Sequence, residues 1–246
     1  VSFTIEQGET FIIMGGSGCG KTTLLKCLNG MEKPDRGSIR IDGQDIVTMR
    51  DDELYALRTR WGMCFQMGAL FNSLSVGENI ALPMREHTRM ADNIIDIMVR
   101  MKLDMVGLTG FQDFMPSEIS GGMKRRVALA RAIALDPKLV FYDEPGTGLD
   151  PIVGSVIYLL IRDLAHKMKM TSVVVTHEME FAFRIADRMA MLHEGKIVKV
   201  GTPDEFRASD DPLIKQFING LPDGPIPLRR SREDYLEFII HGDNKV

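Results

Sequence analysis

Short apolar runs and amphipathic stretches alternate along the chain, and their order predicts the fold class. The runs KLVFYDE and SVVVTH are continuously apolar, as in strands buried on both faces of a sheet. TFIIMG and WGMCFQ are shorter runs of the same kind, while KTTLLKCLNG and PIVGSVIYLLIRDLAHKM have helical spacing. Strands that alternate with helices favour an α/β fold with a mostly parallel sheet.

The middle of the chain breaks this alternation and predicts an inserted α-helical subdomain over 67–135. Its clearest helix carries apolar residues at helical spacing: Met90, Ile94, Ile97, Met98, Met101 and Met105. The α/β core is then expected to comprise 1–66 and 136–219. Proline and glycine become frequent near Gly220, which predicts a C-terminal extension over 220–246. Its apolar end, Tyr235–Ile240, is expected to pack against protein.

Composition narrows the class of protein. Apolar residues make up 44% of the chain and charged residues 26%, as in ordinary globular proteins. The net charge of −4 argues against a nucleic-acid partner, and the cluster Lys124-Arg125-Arg126 is typical of a solvated helix face. Three cysteines are too few for a disulfide framework. The chain opens without Met inside a strand-like stretch, so we expect further residues before Val1.

A glycine-rich loop between the first strand and the first helix predicts a phosphate site. It has the spacing Gly15-x-x-x-x-Gly20-Lys21-Thr22, in which backbone N–H groups surround phosphates, the lysine adds charge and the threonine hydroxyl binds Mg²⁺. A dinucleotide loop is the alternative, and Asp35 lies near the position of its ribose-binding acid. Gly-Lys-Thr fits phosphate and Mg²⁺ better. The predicted nucleotide-binding residues are Gly15, Gly16, Ser17, Gly18, Cys19, Gly20, Lys21, Thr22 and Thr23.

Polar residues at the ends of other predicted strands complete a candidate active site. LVFYDE ends in Asp143, suited to holding Mg²⁺ together with Thr22, and Glu144, suited to deprotonating the attacking water. Gln66 and His177 follow two further strands, and ligands gather at the carboxyl ends of parallel strands. We expect Glu144, His177, Gln66 and Lys21 to be catalytic, with Gln66 also near the metal.

A second glycine turn, SEISGGM, precedes a helix but lacks a phosphate-loop lysine of its own. Together with GGSGCGKTT, Gln66, LVFYDE, GLD (148–150) and His177, it gives the chain a set of motifs that resembles the ATPase subunits of ABC transporters over nearly its whole length. The resemblance implies a P-loop NTPase (ABC ATPase) fold that binds ATP and Mg²⁺. It also implies a head-to-tail dimer with a second copy of the chain. In that dimer Ser120, Gly121 and Gly122 would cover the ATP of the partner, with Asp150 at the same interface.

Within this family the stretches FQMGALFNSLSVGENIALPMREHT, SGGMKRRVALARAIALDP and FINGLPDGPIPL are similar to the Mla-type phospholipid-transport ATPases. That resemblance implies glycerophospholipid transport between bacterial inner and outer membranes, on the cytoplasmic face of the inner membrane. The implied partners are an MlaE-type permease, an MlaD-type lipid-binding protein and an MlaB-type STAS protein.

The sequence departs from the common family pattern in three places. Met123 replaces the usual Gln, a change that the Mla-like group shares, and GTGL precedes Asp150 in place of SAL. Family members also stack adenine on an aromatic residue ahead of the first strand. Phe3 is too close to the phosphate loop for that role, so we expect this residue to be missing from the chain.

Other functions remain as alternatives. The ATPase of an importer for amino acids or metal chelates would share every catalytic motif. A DNA-repair ABC ATPase needs a long coiled coil before the Ser-Gly-Gly turn, and the stretch from Gln66 to Ser120 is too short for one. A ribosome-acting ABC ATPase needs two ATPase domains, and this sequence carries one set of motifs. Both alternatives are therefore disfavoured. A pure interaction module is disfavoured because Lys21, Asp143, Glu144 and His177 are all present.

Overall fold

The computed structural model describes residues 1–226, which fall into two units, Val1–Pro203 and a smaller one that starts at Asp204. The apolar stretch 235–240 of the predicted extension lies outside the described residues. The predicted boundaries at 67, 136 and 220 stay predictions. Within the first unit, however, three of the longer helices do lie between the fourth and fifth strands.

The described part of the chain has a six-stranded and a two-stranded sheet. The strands are β1 (Thr10–Met14), β2 (Arg40–Ile41), β3 (Gln44–Asp45), β4 (Trp61–Cys64), β5 (Leu139–Asp143), β6 (Thr171–Thr176), β7 (Arg188–His193) and β8 (Lys196–Gly201). The large sheet has the order β4-β5-β6-β1-β7-β8, and each neighbouring pair is parallel except β7 with β8. The mostly parallel sheet is therefore as predicted.

Helices connect these strands. They are α1 (Lys21–Leu28), α2 (Asp51–Arg58), α3 (Val76–His87), α4 (Asp92–Met105), α5 (Gly121–Ala132), α6 (Pro151–Met168) and α7 (Met179–Ile185), with a short 3-10 turn at Pro116–Glu118. Several begin at a side-chain cap. Ser75 and Glu78 form a capping box at α3, and Asp150 accepts from two backbone N–H groups at the start of α6.

The strand β1 lies inside the sheet, and its side chains belong to the hydrophobic core. All five residues of β1 are buried, and Phe11 and Ile13 pack with Phe141 of β5, Val173 of β6 and Leu25 of α1. Each such side chain contributes roughly 1.5–3 kcal/mol by leaving water. This packing fixes the positions of β1, β5 and β6. The residues at the carboxyl ends of these strands include the polar residues of the candidate site.

The helix predicted around 90–105 is present as α4, but its buried face differs from the residues that defined the spacing. Ile95, Val99 and Leu103 are buried, whereas Ile94 and Met101 are 45% and 55% exposed. Both sets of residues repeat at helical spacing. When a helix is apolar on two sides, the spacing predicts the helix but does not tell which side is buried.

The first nine residues form no strand, contrary to their strand-like pattern. Both edges of β1 are already paired, with β6 and β7. Phe3 instead stacks its ring on that of Phe11, with 5.5 Å between centroids.

The second unit contains the end of α8 (Pro203–Arg207) and the whole of α9 (Pro212–Asn219). Asp211 caps α9, and Gly220 ends it in a left-handed conformation. The Gln216 side chain then exchanges two hydrogen bonds with the backbone of Ile226, at 2.9 and 2.6 Å.

Candidate functional site

Four neighbouring parallel strands end at one edge of the sheet and carry the predicted site residues there. Gln66 follows β4, Asp143 ends β5, His177 follows β6 and the phosphate loop follows β1. Ligands in open α/β sheets bind at this edge. The strand order therefore brings together residues that lie far apart in the sequence.

The phosphate loop has the backbone that its glycines predict. Gly18 and Gly20 have φ of 75° and 99°, which favours glycine, and Gly20 leads directly into α1. Gly15 has no room for a side chain, since a Cβ would lie 2.2 Å from the carbonyl oxygen of Leu192. Backbone N–H groups at the start of α1 thus face an open loop suited to an anion.

Lys21 is buried, and its amino group lies within the phosphate loop. The Nζ atom donates to the carbonyl oxygens of Gly15 and Gly16, both at 2.9 Å. It also lies 3.9 Å from Oε1 of Glu144. The ammonium group is therefore held between the loop and the carboxylate, at the position where a phosphate would need a positive charge.

Thr22 in the first turn of α1 lies next to Asp143 at the end of β5, and this pair fits a magnesium ion. The Thr22 hydroxyl donates to Oδ1 of Asp143 at 3.2 Å. Burial raises the pKa of the Asp143 carboxyl, an effect that the Thr22 hydrogen bond and the Lys21 charge oppose. Mg²⁺ uses one or two protein oxygens and completes its shell with phosphate and water, so a hydroxyl and a carboxylate suffice.

Glu144 lies at the centre of the cluster. Its Oε1 atom is 3.2 Å from Nδ1 of His177, and Oε2 accepts from Nε2 of Gln66 at 3.4 Å and from the Thr147 hydroxyl at 3.0 Å. Its backbone has φ of 45°, in the left-handed region, and its N–H donates to the carbonyl oxygen of Val175 at 2.9 Å. Unfavourable backbone of this kind persists where the surroundings hold it, often at active sites.

Ser120, Gly121 and Gly122, which the sequence predicts to cover the ATP of a partner, lie at the start of α5. The Ser120 hydroxyl caps the helix by accepting from the N–H of Met123 at 3.3 Å. Gly122 approaches α6 so closely that a Cβ would lie 2.6 Å from Cγ1 of Val153. Asp150, which caps α6, belongs to the same region. Among residues 1–226, no hydrogen bond or ion pair joins this group to the phosphate loop.

Sequence reasoning missed Arg125 and Thr147. The basic cluster predicts a solvated face for Arg125, but the residue is only 7% exposed and donates from Nη2 to the carbonyl oxygen of Thr147 at 2.9 Å. The buried residues around it, Val127 and Leu129, lie on the same helix. The available signal for Thr147 was its hydroxyl three positions after Glu144, where the common pattern SAL also has a hydroxyl.

The hydrogen bonds of Tyr158 explain Gly146, the first residue of GTGL. Its hydroxyl donates to Oε2 of Glu178 at 2.7 Å and lies 2.7 Å from Oγ1 of Thr176. A Cβ on Gly146 would lie 2.5 Å from the same Glu178 oxygen and 2.6 Å from the Tyr158 ring. A glycine is therefore required at position 146 for this network to form.

The site residues are separate from the cavity of about 780 Å³ in the first unit. That cavity has Phe3, Ile41, Trp61 and Phe141 in its wall and none of the predicted site residues. Within the phosphate loop, Ser17 and Gly18 are exposed to solvent, whereas the Glu144 side chain is 15% exposed.

The comparisons with known proteins agree with this geometry. The family described as ABC transporter matches residues 1–147. The chain belongs to the ABC transporter family. The solved ATP-binding cassette MJ0796, a dimer in a post-hydrolysis state bound to ADP and Pi, is 33% identical, with a TM-score of 0.75 over 82% of this chain and 88% of that one. The predicted ABC ATPase fold is therefore confirmed.

Two curated relatives are similar over almost the whole of this ABC ATPase. The intermembrane phospholipid transport system ATP-binding protein MlaF of Haemophilus influenzae is 46% identical over 98% of this chain and 91% of its own length. The protein of the same name from Escherichia coli K12 is 45% identical over 98% of this chain and 90% of its own. The predicted family, ATP binding and ATPase class are thus confirmed. Among the described helices of this ABC ATPase, none is long and apolar enough to cross a membrane.

Proposed function

We propose that the chain is the ATP-hydrolysing subunit of a phospholipid transporter and works as a head-to-tail dimer on a membrane permease. The observation that carries the catalytic part is the convergence of Lys21, Gln66 and His177 on the carboxylate of Glu144. The similarity to the two MlaF proteins supports the phospholipid part.

In this proposal Glu144 is the general base for the attacking water. Gln66 and Thr147 donate to its carboxylate and Nδ1 of His177 lies 3.2 Å from it, so its orientation is set before a substrate arrives. Lys21 supplies positive charge beside the phosphates of bound ATP, and the N–H groups at the start of α1 add a favourable dipole. Gln66 and His177 touch the same carboxylate and are placed to orient the water between it and the γ-phosphate.

Thr22 and Asp143 would hold Mg²⁺. The ion, when bound, neutralises charge that develops on the transferring phosphoryl group. The protein contributes the hydroxyl and the buried carboxylate, which already lie within 3.2 Å of one another. Gln66 would add a third oxygen from the end of β4.

The Ser-Gly-Gly turn would act on the ATP of a partner copy. Ser120, Gly121 and Gly122 present a capped helix start without a phosphate-loop lysine, and within the described residues no hydrogen bond or ion pair joins them to the phosphate loop of the same chain. The phosphate loop in turn is open to the surface. Two copies arranged head to tail would satisfy both features, with Asp150 at the shared interface.

Glu144→Gln tests the catalytic assignment. The amide keeps the size of the side chain and cannot accept a proton, so ATP should still bind while turnover falls by about 10²–10⁴-fold. A dimer that depends on ATP should accumulate, measured by gel filtration with Mg²⁺-ATP. Glu180→Gln, a change at a surface carboxylate that pairs with Arg184, is the matched control. Normal turnover in Glu144→Gln would overturn the assignment.

The permease would dock beside the loop that follows Gln66. Met67 and Phe71 are 84% and 50% exposed, yet their loop is fixed in place. Arg131 donates to the carbonyl oxygens of Gly68 and Ala69, and Asn79 bonds both backbone groups of Phe71. Exposed apolar side chains on a rigid loop are suited to receive a helix of a partner.

This docking would place the chain on the cytoplasmic face of the bacterial inner membrane. Phe71→Glu should then reduce the recovery of membrane subunits in a pull-down from native membranes. Leu159→Glu, at a side chain of similar exposure on α6, is the control that should not. Equal recovery from both variants would contradict this docking surface.

The transported substrate is tested by mass spectrometry of what the wild-type protein co-purifies in mild detergent. An MlaE-type permease, an MlaD-type protein, an MlaB-type STAS protein and glycerophospholipid would support the proposal. A permease with a soluble binding protein for amino acids or metal chelates would overturn the substrate and leave the ATP site as argued.

A further inference from the structure

Arg125 connects the helix of the Ser-Gly-Gly turn to the loop that carries Glu144. It lies on α5, five positions after Ser120, and its guanidinium is buried. Nη2 donates to the carbonyl oxygen of Thr147, whereas Nη1 is buried and has no partner among the described residues. Burial of the charge lowers the pKa of this guanidinium. A buried arginine with an unused donor costs free energy of folding, so its presence calls for an explanation.

Thr147 connects in turn to the carboxylate of Glu144. The Thr147 hydroxyl donates to Oε2 at 3.0 Å, and the Thr147 N–H donates to the backbone carbonyl oxygen of Glu144 at 3.2 Å. The backbone of Glu144 is already anchored on Val175 of β6. The hydroxyl of Thr147 is therefore not needed to form the turn, but it does restrict where the carboxylate points.

We propose that Arg125 and Thr147 are positioning residues that transmit the position of α5 to Glu144 of the same chain. This proposal rests on the proposed roles of Glu144 and of Ser120–Gly122. When the Ser-Gly-Gly turn closes on the ATP of the partner, α5 moves with it, and Arg125 shifts the Thr147 carbonyl. The Thr147 hydroxyl then sets the orientation of the Glu144 carboxylate. Hydrolysis at one site would thus depend on ATP at the other.

The contacts favour such a relay over a role in folding alone. The path from Ser120 to Glu144 uses one side chain from α5 and one residue of the loop, both with directional hydrogen bonds. The unused Nη1 donor can take a second acceptor in a closed state without breaking the first bond. Gly122 and Val153 form a parallel contact between α5 and α6, but it is apolar and does not reach Glu144.

The test compares kcat and KM for ATP in purified full-length variants. Thr147→Val keeps the size and removes the hydroxyl, so kcat should fall by about 10–100-fold, the scale of one hydrogen bond to a charged group, with KM within about twofold. Thr147→Ser should restore kcat. Arg125→Met should lower kcat similarly, and Arg125→Lys should restore part of it. The double variant should be no slower than the slower single one, since both act through one carboxylate.

Matched controls separate this relay from general effects of the substitutions. Thr109→Val removes a hydroxyl that donates to the Asp104 carboxylate at 2.8 Å, and Arg162→Met removes a guanidinium that donates to the carbonyl oxygen of Arg184 at 3.0 Å. Both should keep the wild-type kcat.

Amide hydrogen exchange gives a readout that does not depend on turnover. In the nucleotide-free chain, Arg125→Met should speed exchange over 144–150, where the Thr147 and Leu149 amides are bonded within the turn, and leave 171–176 unchanged. If Arg125→Met does not fold, the Thr147 pair still decides the question.

Three results would overturn the relay. They are an unchanged kcat in Thr147→Val, a loss expressed only in KM, and multiplicative losses in the double variant. Glu144→Gln, measured in parallel, distinguishes a failure of the proposed function from a failure of the relay alone. Wild-type turnover in Glu144→Gln overturns the proposed function and the relay together. A slow Glu144→Gln beside a normal Thr147→Val overturns the relay alone.

Discussion

The Nδ1 atom of His177 lies 3.2 Å from Oε1 of Glu144, which joins the ends of two neighbouring strands. His177 is 46% exposed, whereas the Glu144 side chain is 15% exposed. The histidine is therefore the more solvent-accessible member of the pair. It is placed to contact both the Glu144 carboxylate and a ligand bound on the solvent side of the pair.

We predict that His177→Ala lowers kcat for ATP hydrolysis by about 10²-fold, the lower end of general acid–base effects. The loss should appear in kcat, because Lys21 and the phosphate loop remain to bind ATP. Steady-state kinetics with varied ATP will check it. His166→Ala, on the outer part of α6, is the control. If both histidine variants hydrolyse ATP normally, His177 has no part in the reaction.

The sequence predicted the elements of this site for a physical reason. Gln66, Glu144 and His177 each follow an apolar run, and parallel strands place their ends at one edge whatever the order of the strands. The phosphate loop was equally accessible to sequence reasoning, because glycine spacing and Lys-Thr follow from what a phosphate needs.

The rest of the site depends on packing between distant elements, which no local pattern encodes. Arg125 follows Lys124 in a basic cluster, yet in the fold it is buried and bonded to the Thr147 turn. The α4 helix shows the same limit, since its two apolar sides have one period and only the tertiary contacts select Ile95 and Val99 for burial. The fold and the placement of the candidate site residues were thus predictable, and the contacts between them were not.

The Tyr158 network gives a second prediction. Burial and the Glu178 carboxylate raise the pKa of Tyr158 far above its usual value, so the hydroxyl stays protonated and donates. Tyr158→Phe leaves Glu178 and Thr176 without this partner and should lower the free energy of unfolding by about 1–3 kcal/mol. Urea denaturation will measure the change.

The same variant should lower kcat several-fold, because Glu178 follows His177 directly. Tyr55→Phe, at a tyrosine that is 60% exposed, is the matched control and should change neither quantity. A Tyr158→Phe protein as stable and active as the wild type would show that the network is dispensable.

Asp150 combines a local role with the proposed role at the dimer interface, and two substitutions separate them. Its Oδ1 atom accepts from the N–H groups of Ile152 and Val153 at 3.1 and 3.0 Å. Asp150→Ala should cost about 0.5–2 kcal/mol of stability by removing this cap, whereas Asp150→Asn retains it. Thermal unfolding distinguishes the two.

If the charge of Asp150 also serves the interface, Asp150→Asn should keep the unfolding temperature and still weaken the ATP-dependent dimer. The dimer is best measured in the Glu144→Gln background, where it accumulates. A stable Asp150→Asn protein that dimerises normally would confine Asp150 to its capping role.

The three cysteines should differ in reactivity, and only one should report on the ATP site. Burial raises the pKa of Cys64 to about 11, and burial with Glu32 and Asp35 nearby raises that of Cys27. Because the thiolate is the reactive form, both should react slowly with N-ethylmaleimide near pH 7. Cys19 is half-buried within the phosphate loop, so its modification should inhibit hydrolysis and ATP should protect it. Cys19→Ala is expected to resist inhibition. Inhibition that persists in this variant, with adducts found by mass spectrometry on Cys27 or Cys64, would show that the loop cysteine is not the sensitive group.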